Sequence, residues 1–252
     1  MVFKIKPEYL NANVLENINV TSNIFNLTLE GNFSGKPGQF YMVKCWENEL
    51  LLGRPISIHS LNENTLEFLY KAEGKGTKIL SYLKEGDSVE IMGPLGNGFH
   101  LDKIKGKVAI VAGGIGVAPM RYLLESLKVD TLDAYLGFRD EVYGVDVIED
   151  KVDNIYIATE DGSKGHKGYV TEIFKPEKYD LVLCCGPEIM MEKIIKMARD
   201  KKVPIYVSME KRMACGVGAC LVCTCKTRFG NKRTCKDGPV FNGEDIILKG
   251  DI

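Results

Sequence analysis

Most of the cysteines crowd the last quarter of the chain, and their spacing is typical of an iron–sulfur site. Of the eight cysteines, four follow the pattern Cys-x4-Cys-x2-Cys with a later cysteine: Cys215, Cys220, Cys223 and Cys235. Four thiolates with this plant-type spacing hold a [2Fe–2S] cluster by converging on its two irons. Gly216 and Gly218 between the first two cysteines leave room for the backbone to approach the cluster, and they permit a positive φ. These four cysteines are the predicted metal ligands.

Two alternatives to this ligand set remain open. A structural zinc site also accepts four thiolates, although zinc sites more often pair two short Cys-x2-4-Cys units. Cys225 is a fifth candidate ligand, which spacing alone does not exclude.

A glycine-rich turn follows the apolar run 107–112 and predicts a dinucleotide site. Its glycines, Gly113, Gly114 and Gly116, precede a predicted helix at Val117–Lys128. Such glycines let backbone amides approach a pyrophosphate, although a tight strand–helix turn needs glycine in any case. Because ligands bind at the carboxyl ends of parallel strands, Cys185, Gly186 and Pro187 are further candidates. Cys185 is predicted to line a nicotinamide pocket, its alternative role being that of small apolar core filler.

Two short motifs in the first hundred residues could bind phosphate or a flavin ring. The segment Arg54, Pro55, Ile56 and Ser57 offers a guanidinium for a phosphate and a hydroxyl for a ring nitrogen. Gly76 and Thr77 could present amides and a hydroxyl to a second phosphate before a predicted helix at Lys78–Leu83. Each motif also has an ordinary structural interpretation, as a strand end and as a helix cap.

The predicted secondary structure that positions these residues changes along the chain, from strands alone to strands that alternate with helices. Alternating strands with turn signals predict an antiparallel barrel or sandwich for residues 1–102, including one strand at Ile18–Leu29 and a loop at Gly93–Gly98. Apolar runs alternating with helices, most clearly Glu188–Lys201, predict a parallel α/β domain for residues 103–208. Residues 209–252 form the cysteine-rich third domain. The fold class is thus β plus α/β with a small metal-binding tail.

Composition narrows the classes of function further. The net charge of -1 gives no electrostatic basis for binding nucleic acid or a membrane surface. No run of apolar residues reaches the ~20 that a spanning helix needs. The opening residues Met1–Pro7 lack the apolar core of a signal peptide. We therefore expect a soluble, cytoplasmic protein with reduced thiols. The three histidines show no ligand spacing and are predicted to be structural or surface residues.

The order of these motifs resembles the ferredoxin–NADP reductase superfamily. Its members join an FAD-binding β-barrel to a nicotinamide-binding α/β domain, and the tail, from Arg212 to Phe241, is similar to one branch. That branch comprises the electron-transfer subunits of NAD-dependent dihydroorotate dehydrogenase. The resemblance implies FAD contacts at nine positions: Arg54, Pro55, Ile56, Ser57, Leu69, Tyr70, Lys71, Gly76 and Thr77. Many superfamily members carry a tyrosine where Ile56 stands, so ring stacking on the flavin must come from elsewhere.

The resemblance also implies a function. A catalytic partner subunit would oxidise dihydroorotate on its FMN, and electrons would pass through the [2Fe–2S] cluster and FAD to NAD+ in pyrimidine (UMP) biosynthesis. The implied complex is a heterotetramer of two plus two subunits. The cluster is expected near the partner surface, with Arg212 and Met213 at the contact.

Other functions remain open at this stage. A flavin and [2Fe–2S] subunit of an NADH-dependent ferredoxin:NADP oxidoreductase or of a sulfide dehydrogenase has the same build. A zinc-stabilised binding module is the alternative from a different class. Arg139 and Asp140 carry opposite charges where a ribose or its 2′-phosphate would be bound, so NAD is chosen over NADP on the resemblance.

Overall fold

The computed structural model describes residues 6–46, 50–249 and 251. Parts of the first and third predicted domains, and most of the opening segment Met1–Pro7, therefore lie outside the described residues. The predicted domain boundaries at 102 and 208 remain predictions.

The first sheet contains seven antiparallel strands. They are β1 (Glu8–Thr21), β2 (Ile24–Glu30), β3 (Phe40–Lys44), β4 (Arg54–Ser57), β5 (Ser60–Leu61), β6 (Thr65–Lys71) and β7 (Ser88–Leu95). Their order is β4-β3-β7-β1-β2-β6-β5, and the sheet curls until β4 lies against β6. Alternate side chains such as Leu27, Leu29, Leu66 and Phe68 fill its interior. The predicted antiparallel barrel is confirmed as a half-barrel.

Two predicted features of this sheet are wrong in detail. The segment Ile18–Leu29 is two strands, because the chain reverses between Thr21 and Ile24. A two-residue turn keeps the period-two alternation in step across both strands, so the pattern does not reveal the reversal. Strand β7 also runs on through Pro94 to Leu95, where the sequence predicts a loop. The register with β3 shifts here, and a proline without an N–H is tolerated at such an irregularity.

The second sheet also has seven strands, in the order β11-β10-β9-β8-β12-β13-β16. They are β8 (Lys107–Gly113), β9 (Thr131–Phe138), β10 (Asn154–Thr159), β11 (His166–Lys167), β12 (Leu181–Cys185), β13 (Ile205–Ser208) and β16 (Val240–Asn242). The first six are parallel, which confirms the predicted α/β sheet, and β16 is antiparallel. Cys184 and Cys185 pack into cores on opposite faces, as strand alternation predicts.

The helices are shorter than or shifted from their predicted bounds. They are α1 (Lys75–Leu80), α2 (Met120–Ser126), α3 (Val170–Ile173) and α4 (Glu188–Asp200). Before α2 the chain forms a 3-10 turn at Gly114–Val117, because Pro119 is accommodated only at the start of a helix. Helix α1 begins three residues before the predicted Lys78. Further 3-10 turns lie at Leu101–Lys103, Glu149–Lys151, Pro176–Lys178 and Gly243–Asp245. Across the described ranges, no helix has the length and apolar character needed to cross a membrane.

The cysteine-rich tail is attached to both sheets. It contains the hairpin β14 (Thr224–Thr227) and β15 (Gly230–Arg233), and its strand β16 extends the second sheet. The barrel loop after β7 holds the tail through Asn97, whose N–H donates to the Gly238 carbonyl at 2.5 Å. The Asn97 side-chain amide also donates to the Lys236 carbonyl at 2.8 Å. The segment after Cys235 is therefore fixed against the barrel.

A buried histidine joins the barrel to the α/β domain. His59 Nδ1 donates to the Ala118 carbonyl at 2.6 Å, and only 3% of the residue is exposed. Burial lowers the pKa of His59 to about 4, against an ordinary value of 6.5. Between these two values the unfolded chain binds more protons than the folded protein, so stability falls as pH falls.

We expect the free energy of unfolding of the wild type to fall more in acid than that of a His59→Asn variant. His59 contributes its full stabilisation above pH 6.5 and loses it as pH falls towards 4, by about 3 kcal/mol. Asparagine retains an N–H donor but does not titrate. Urea titrations of both proteins at intervals across this range measure the difference. Parallel pH profiles for the two proteins would contradict the prediction.

Candidate functional site

A cavity of about 640 Å³ lies where the barrel, the α/β domain and the tail meet, and is called the central cavity. Eight of the nine residues that the resemblance assigns to FAD line it: Arg54, Pro55, Ile56, Ser57, Leu69, Tyr70, Lys71 and Thr77. They come from β4, β6 and the first turn of α1, which the curl of the barrel brings together. Three separate elements thus form one wall.

The ninth residue, Gly76, lies behind Arg54 and has a packing role. A Cβ at Gly76 would stand 2.9 Å from both the Arg54 guanidine and the Trp46 ring. The Arg54 guanidinium lies over that ring, 5.1 Å from its centre, in a cation–π contact. Trp46 is 6% exposed, and its indole N–H has no hydrogen-bond partner among the residues that the structure describes. The glycine therefore allows Trp46 to orient the one strong cation of the β4 motif.

The Thr77 hydroxyl is engaged in capping α1. It accepts hydrogen bonds from the Glu73 and Gly74 N–H groups, both at 3.1 Å. Aromatic rings reach the central cavity at Phe40 and Tyr70, although Ile56 replaces the family tyrosine. Ring stacking is thus available from other strands.

The far wall of the central cavity carries Cys185, Ser208 and Glu210. Cys185 and Ser208 pair at the carboxyl ends of β12 and β13. Burial raises the pKa of the Cys185 thiol well above its ordinary value, and the nearby Glu210 carboxylate raises it further. Burial among protein atoms also raises the pKa of Glu210, whose side chain opens into the cavity. Cys185 is thus a neutral thiol on the cavity wall, and its contact with a nicotinamide remains a prediction.

Two further cavities surround the glycine-rich turn. The outer cavity, of about 560 Å³, is lined by residues that include Phe138, Arg139, Glu160 and Tyr169. The bridging cavity, of about 660 Å³, runs from the same turn to the β1–β2 turn and to Glu210. Predicted nicotinamide-site residues in both are Gly113, Gly114 and Pro187, and Gly186 lines the bridging cavity.

Gly116 is placed differently from the other two glycines of the turn. It is buried, and a Cβ there would stand 2.4 Å from the Cys185 carbonyl oxygen. Its absence of a side chain lets the turn pack directly on the end of β12. Gly116 therefore positions Cys185 and Gly186, and direct contact with a cofactor remains a prediction.

The four predicted ligands come together in the tail, in two contacting pairs. The Cys220 thiol hydrogen-bonds Cys215, and the Cys223 and Cys235 thiols interact with one another. The charge of Cys215 also raises the pKa of Cys235, which indicates that the two pairs lie near one another. Among the described residues, no three His, Cys, Asp or Glu side chains stand close enough to hold a single metal ion.

Backbone amides surround the first of these sulfurs. The Ala219 and Cys220 N–H groups point at Cys215 Sγ, from 3.3 and 3.5 Å. Burial raises the pKa of Cys215, but these donors outweigh it and lower the pKa to about 6. Gly216 and Gly218 have φ values of 70° and 82°, which confirms the expected positive φ.

The second pair of sulfurs is close to the central cavity. Cys223 and Cys235 are buried in a small core with Phe40 and Met213. Both of these apolar residues also line the central cavity. The two sulfurs therefore share one core with two residues of the wall of the predicted flavin site.

Cys225 faces away from this group. It is 6% exposed on β14 and lines a smaller cavity of about 210 Å³ beside α4. Burial raises the pKa of its thiol. The geometry thus favours the four-cysteine set from the sequence, and the ligand assignment itself stays a prediction.

Known proteins are similar to this chain both in its tail and over nearly its full length. A family model described as the iron–sulfur cluster binding domain of dihydroorotate dehydrogenase B matches residues 210–247. A protein of Clostridium acetobutylicum named "Dihydroorotate dehydrogenase B (NAD(+)), electron transfer subunit" is 56% identical over 97% of this chain and 99% of its own. A protein of the same name from Clostridium perfringens is 52% identical over 95% and 98%. This chain belongs to that family.

Solved structures agree with the fold of this electron-transfer subunit family. The NADH-dependent reduced ferredoxin–NADP oxidoreductase, described in work on flavin-based electron bifurcation, superposes with a TM-score of 0.84. The two proteins are 27% identical, and the match covers 94% of this chain and 89% of the chain in that solved structure. A ferredoxin NADP+ reductase from Neisseria gonorrhoeae, with bound FAD and NADP, shares the fold over 77% of this chain and 91% of its own. Its TM-score is 0.64 at 17% identity. The resemblance and fold class from the sequence are confirmed.

Sequence reasoning missed several residues of this family member's site. Phe40, Trp46, Ser208 and Glu210 belong to no motif, and only the fold brings Phe40, Ser208 and Glu210 to the cavity and Trp46 against Arg54. Of the two predicted interface residues, Arg212 is exposed, whereas Met213 packs inward against the sulfurs. Exposed apolar side chains around the cysteine loop are instead Val217, Leu221 and Val222.

Proposed function

We propose that this chain is the electron-transfer subunit that carries electrons from a dihydroorotate-oxidising partner, which holds FMN, to NAD+. The observation that carries the proposal is the small core in which Cys223 and Cys235 pack with Phe40 and Met213, two residues that also line the central cavity. Electron transfer slows steeply with distance, and this shared core keeps the sulfurs close to the cavity. FAD in the central cavity would exchange two electrons with a nicotinamide and single electrons with a [2Fe–2S] cluster.

The residues present fit each of these groups. Arg54 would supply a charge for the FAD diphosphate, and the buried Trp46 N–H, which has no partner within the described ranges, would be free to donate to a ligand. The amides around Cys215 suit anionic sulfur, and the four thiols are those that a cluster would need. The outer and bridging cavities would hold the two halves of NAD.

The chain's own residues would orient the reacting rings. Cys185 and Ser57 line the central cavity from opposite domains, so together they would fix the nicotinamide against the flavin. The neutral Cys185 thiol would pack on the ring without forming a covalent adduct. The pyrimidine substrate would bind only to the partner.

The partner would dock over the exposed cysteine loop. Cys220 is exposed there, beside Leu221 and Val222, which are 62% and 57% exposed. Two copies of each subunit would form the complex, and we place it in the cytoplasm, where thiols remain reduced.

Anaerobic mixing with dihydroorotate tests the proposed function. The chain co-purified with its partner should lose its visible flavin and cluster absorption when dihydroorotate is added. The chain alone should be bleached by NADH and not by dihydroorotate. Bleaching of the complex by reduced ferredoxin instead would favour the ferredoxin–NADP oxidoreductase function, which the 0.84 TM-score makes the second candidate. A colourless protein with bound zinc would contradict both.

A further inference from the structure

Arg233 lies between two parts of the tail that carry predicted ligands. Its Nη1 donates to the Gly218 carbonyl at 3.2 Å, within the loop between Cys215 and Cys220. Its Nε donates to Asp237 Oδ2 at 3.1 Å, two residues after Cys235. One guanidinium therefore ties the first ligand loop to the last ligand segment.

Asp237 holds Arg233 through the backbone as well as the side chain. The Arg233 N–H donates to Asp237 Oδ2 at 2.7 Å, and the Asp237 N–H donates to the Arg233 carbonyl at 2.7 Å. About a third of the Arg233 side chain is exposed, so water reaches it only in part. A guanidinium with this many fixed contacts occupies one position.

This position puts a permanent positive charge among the predicted ligand segments. The guanidinium hydrogen-bonds the loop between Cys215 and Cys220, and Arg233 itself stands two residues before Cys235. The Cys235 N–H donates to Cys223 Sγ at 3.4 Å, so Cys223 belongs to the same group. A charge here acts on the sulfurs of the predicted ligand set.

We propose that Arg233 is a positioning residue that raises the reduction potential of the cluster by holding its guanidinium between the Cys215–Cys220 loop and the segment that follows Cys235. The inference rests on the proposed function, since it needs the cluster to be present. Reduction adds one negative charge, so a fixed cation stabilises the reduced form more than the oxidised form. Asp237 has the opposite effect, because its carboxylate partly cancels the same cation.

Two variants should therefore shift the potential in opposite directions. Arg233→Gln removes the cation and should move the one-electron equilibrium about tenfold towards the oxidised cluster, which is 59 mV. Asp237→Asn leaves the cation uncompensated and should move the equilibrium at least threefold towards the reduced cluster. Arg228→Gln is the matched control, because Arg228 is exposed on the same hairpin. It should stay within threefold of wild type.

The measurement is an anaerobic redox titration of the purified chain, followed by electron paramagnetic resonance of the reduced cluster. Equal potentials for wild type and Arg233→Gln, or a downward shift for Asp237→Asn, would overturn the inference. Should Arg233→Gln fail to retain iron, the direction of the Asp237→Asn shift decides alone. Iron and labile sulfide in the wild-type protein are assayed first. Their absence would contradict the proposed function, whereas a wild-type cluster whose potential does not respond to the variants would contradict only the role of Arg233.

Discussion

Replacing Cys223 by alanine is expected to remove the cluster and to stop dihydroorotate-dependent reduction of NAD+. Cys223 is 1% exposed and packs with Cys235, Phe40 and Met213 on the wall of the central cavity. Loss of a ligand should exceed the ~10–100-fold loss of activity that follows removal of an outer-shell partner. NADH oxidation by an artificial dye should continue, because that reaction needs only the flavin and nicotinamide sites.

Cys225→Ala is the matched control for this prediction. Cys225 is also buried, two residues away, but it faces the cavity beside α4. Its replacement should leave two irons and two labile sulfides per chain, as expected for a [2Fe–2S] cluster. Iron analysis and steady-state assays of the reconstituted complex measure both variants. If Cys225→Ala loses iron and Cys223→Ala retains it, the ligand set proposed from spacing is wrong.

Replacing Arg54 by alanine is expected to weaken FAD binding more than any other single change in the barrel. The guanidinium lines the central cavity and is held over Trp46. Hydrogen bonds to charged groups contribute about 1.5–3 kcal/mol, so FAD affinity should fall about 10- to 150-fold. Arg54→Lys should fall between wild type and alanine, because a lysine retains the charge and loses the planar, stacked fork.

The protein contains a single tryptophan, and this makes the measurement direct. Trp46 stands beside Arg54, so quenching of its fluorescence during an FAD titration reports occupancy of the central cavity. Lys78→Ala is the control, since Lys78 is an exposed cation on the same short helix as Thr77. If Arg54→Ala leaves the affinity for FAD unchanged, or if Lys78→Ala lowers it equally, Arg54 does not bind the FAD diphosphate.

Much of the site could be predicted because its motifs are local. The Cys215–Cys223 loop carries its own spacing and glycines, and Gly216 and Gly218 have the positive φ values expected from their residue type, whereas Leu221, with a φ of 61°, does not follow its type. The Arg54–Ser57 segment and the glycine-rich turn are likewise short runs at strand ends. Such runs keep their geometry in any fold that supplies the flanking strands.

Residues without a motif could not be predicted in the same way. Trp46 and Glu210 are single side chains in unremarkable segments, and only the fold places Trp46 against Arg54 and Gly76 and brings Glu210 to the cavity wall. The antiparallel strand Val240–Asn242 looked like part of an irregular tail, since three residues carry too little periodicity to predict a strand. It forms because the edge of β13 offers it hydrogen bonds.

The sequence by itself determined the kinds of chemistry available to this protein: thiolates for a cluster, an arginine for a phosphate, and glycines for a dinucleotide. Only the tertiary structure decided that these groups act on one another. It packs the Cys223 and Cys235 sulfurs with Phe40 and Met213 of the wall of the central cavity, and it brings Cys185 to the same cavity from the other domain. Residue type and local spacing set what a group can bind, whereas the distances between groups depend on how the two sheets and the tail pack.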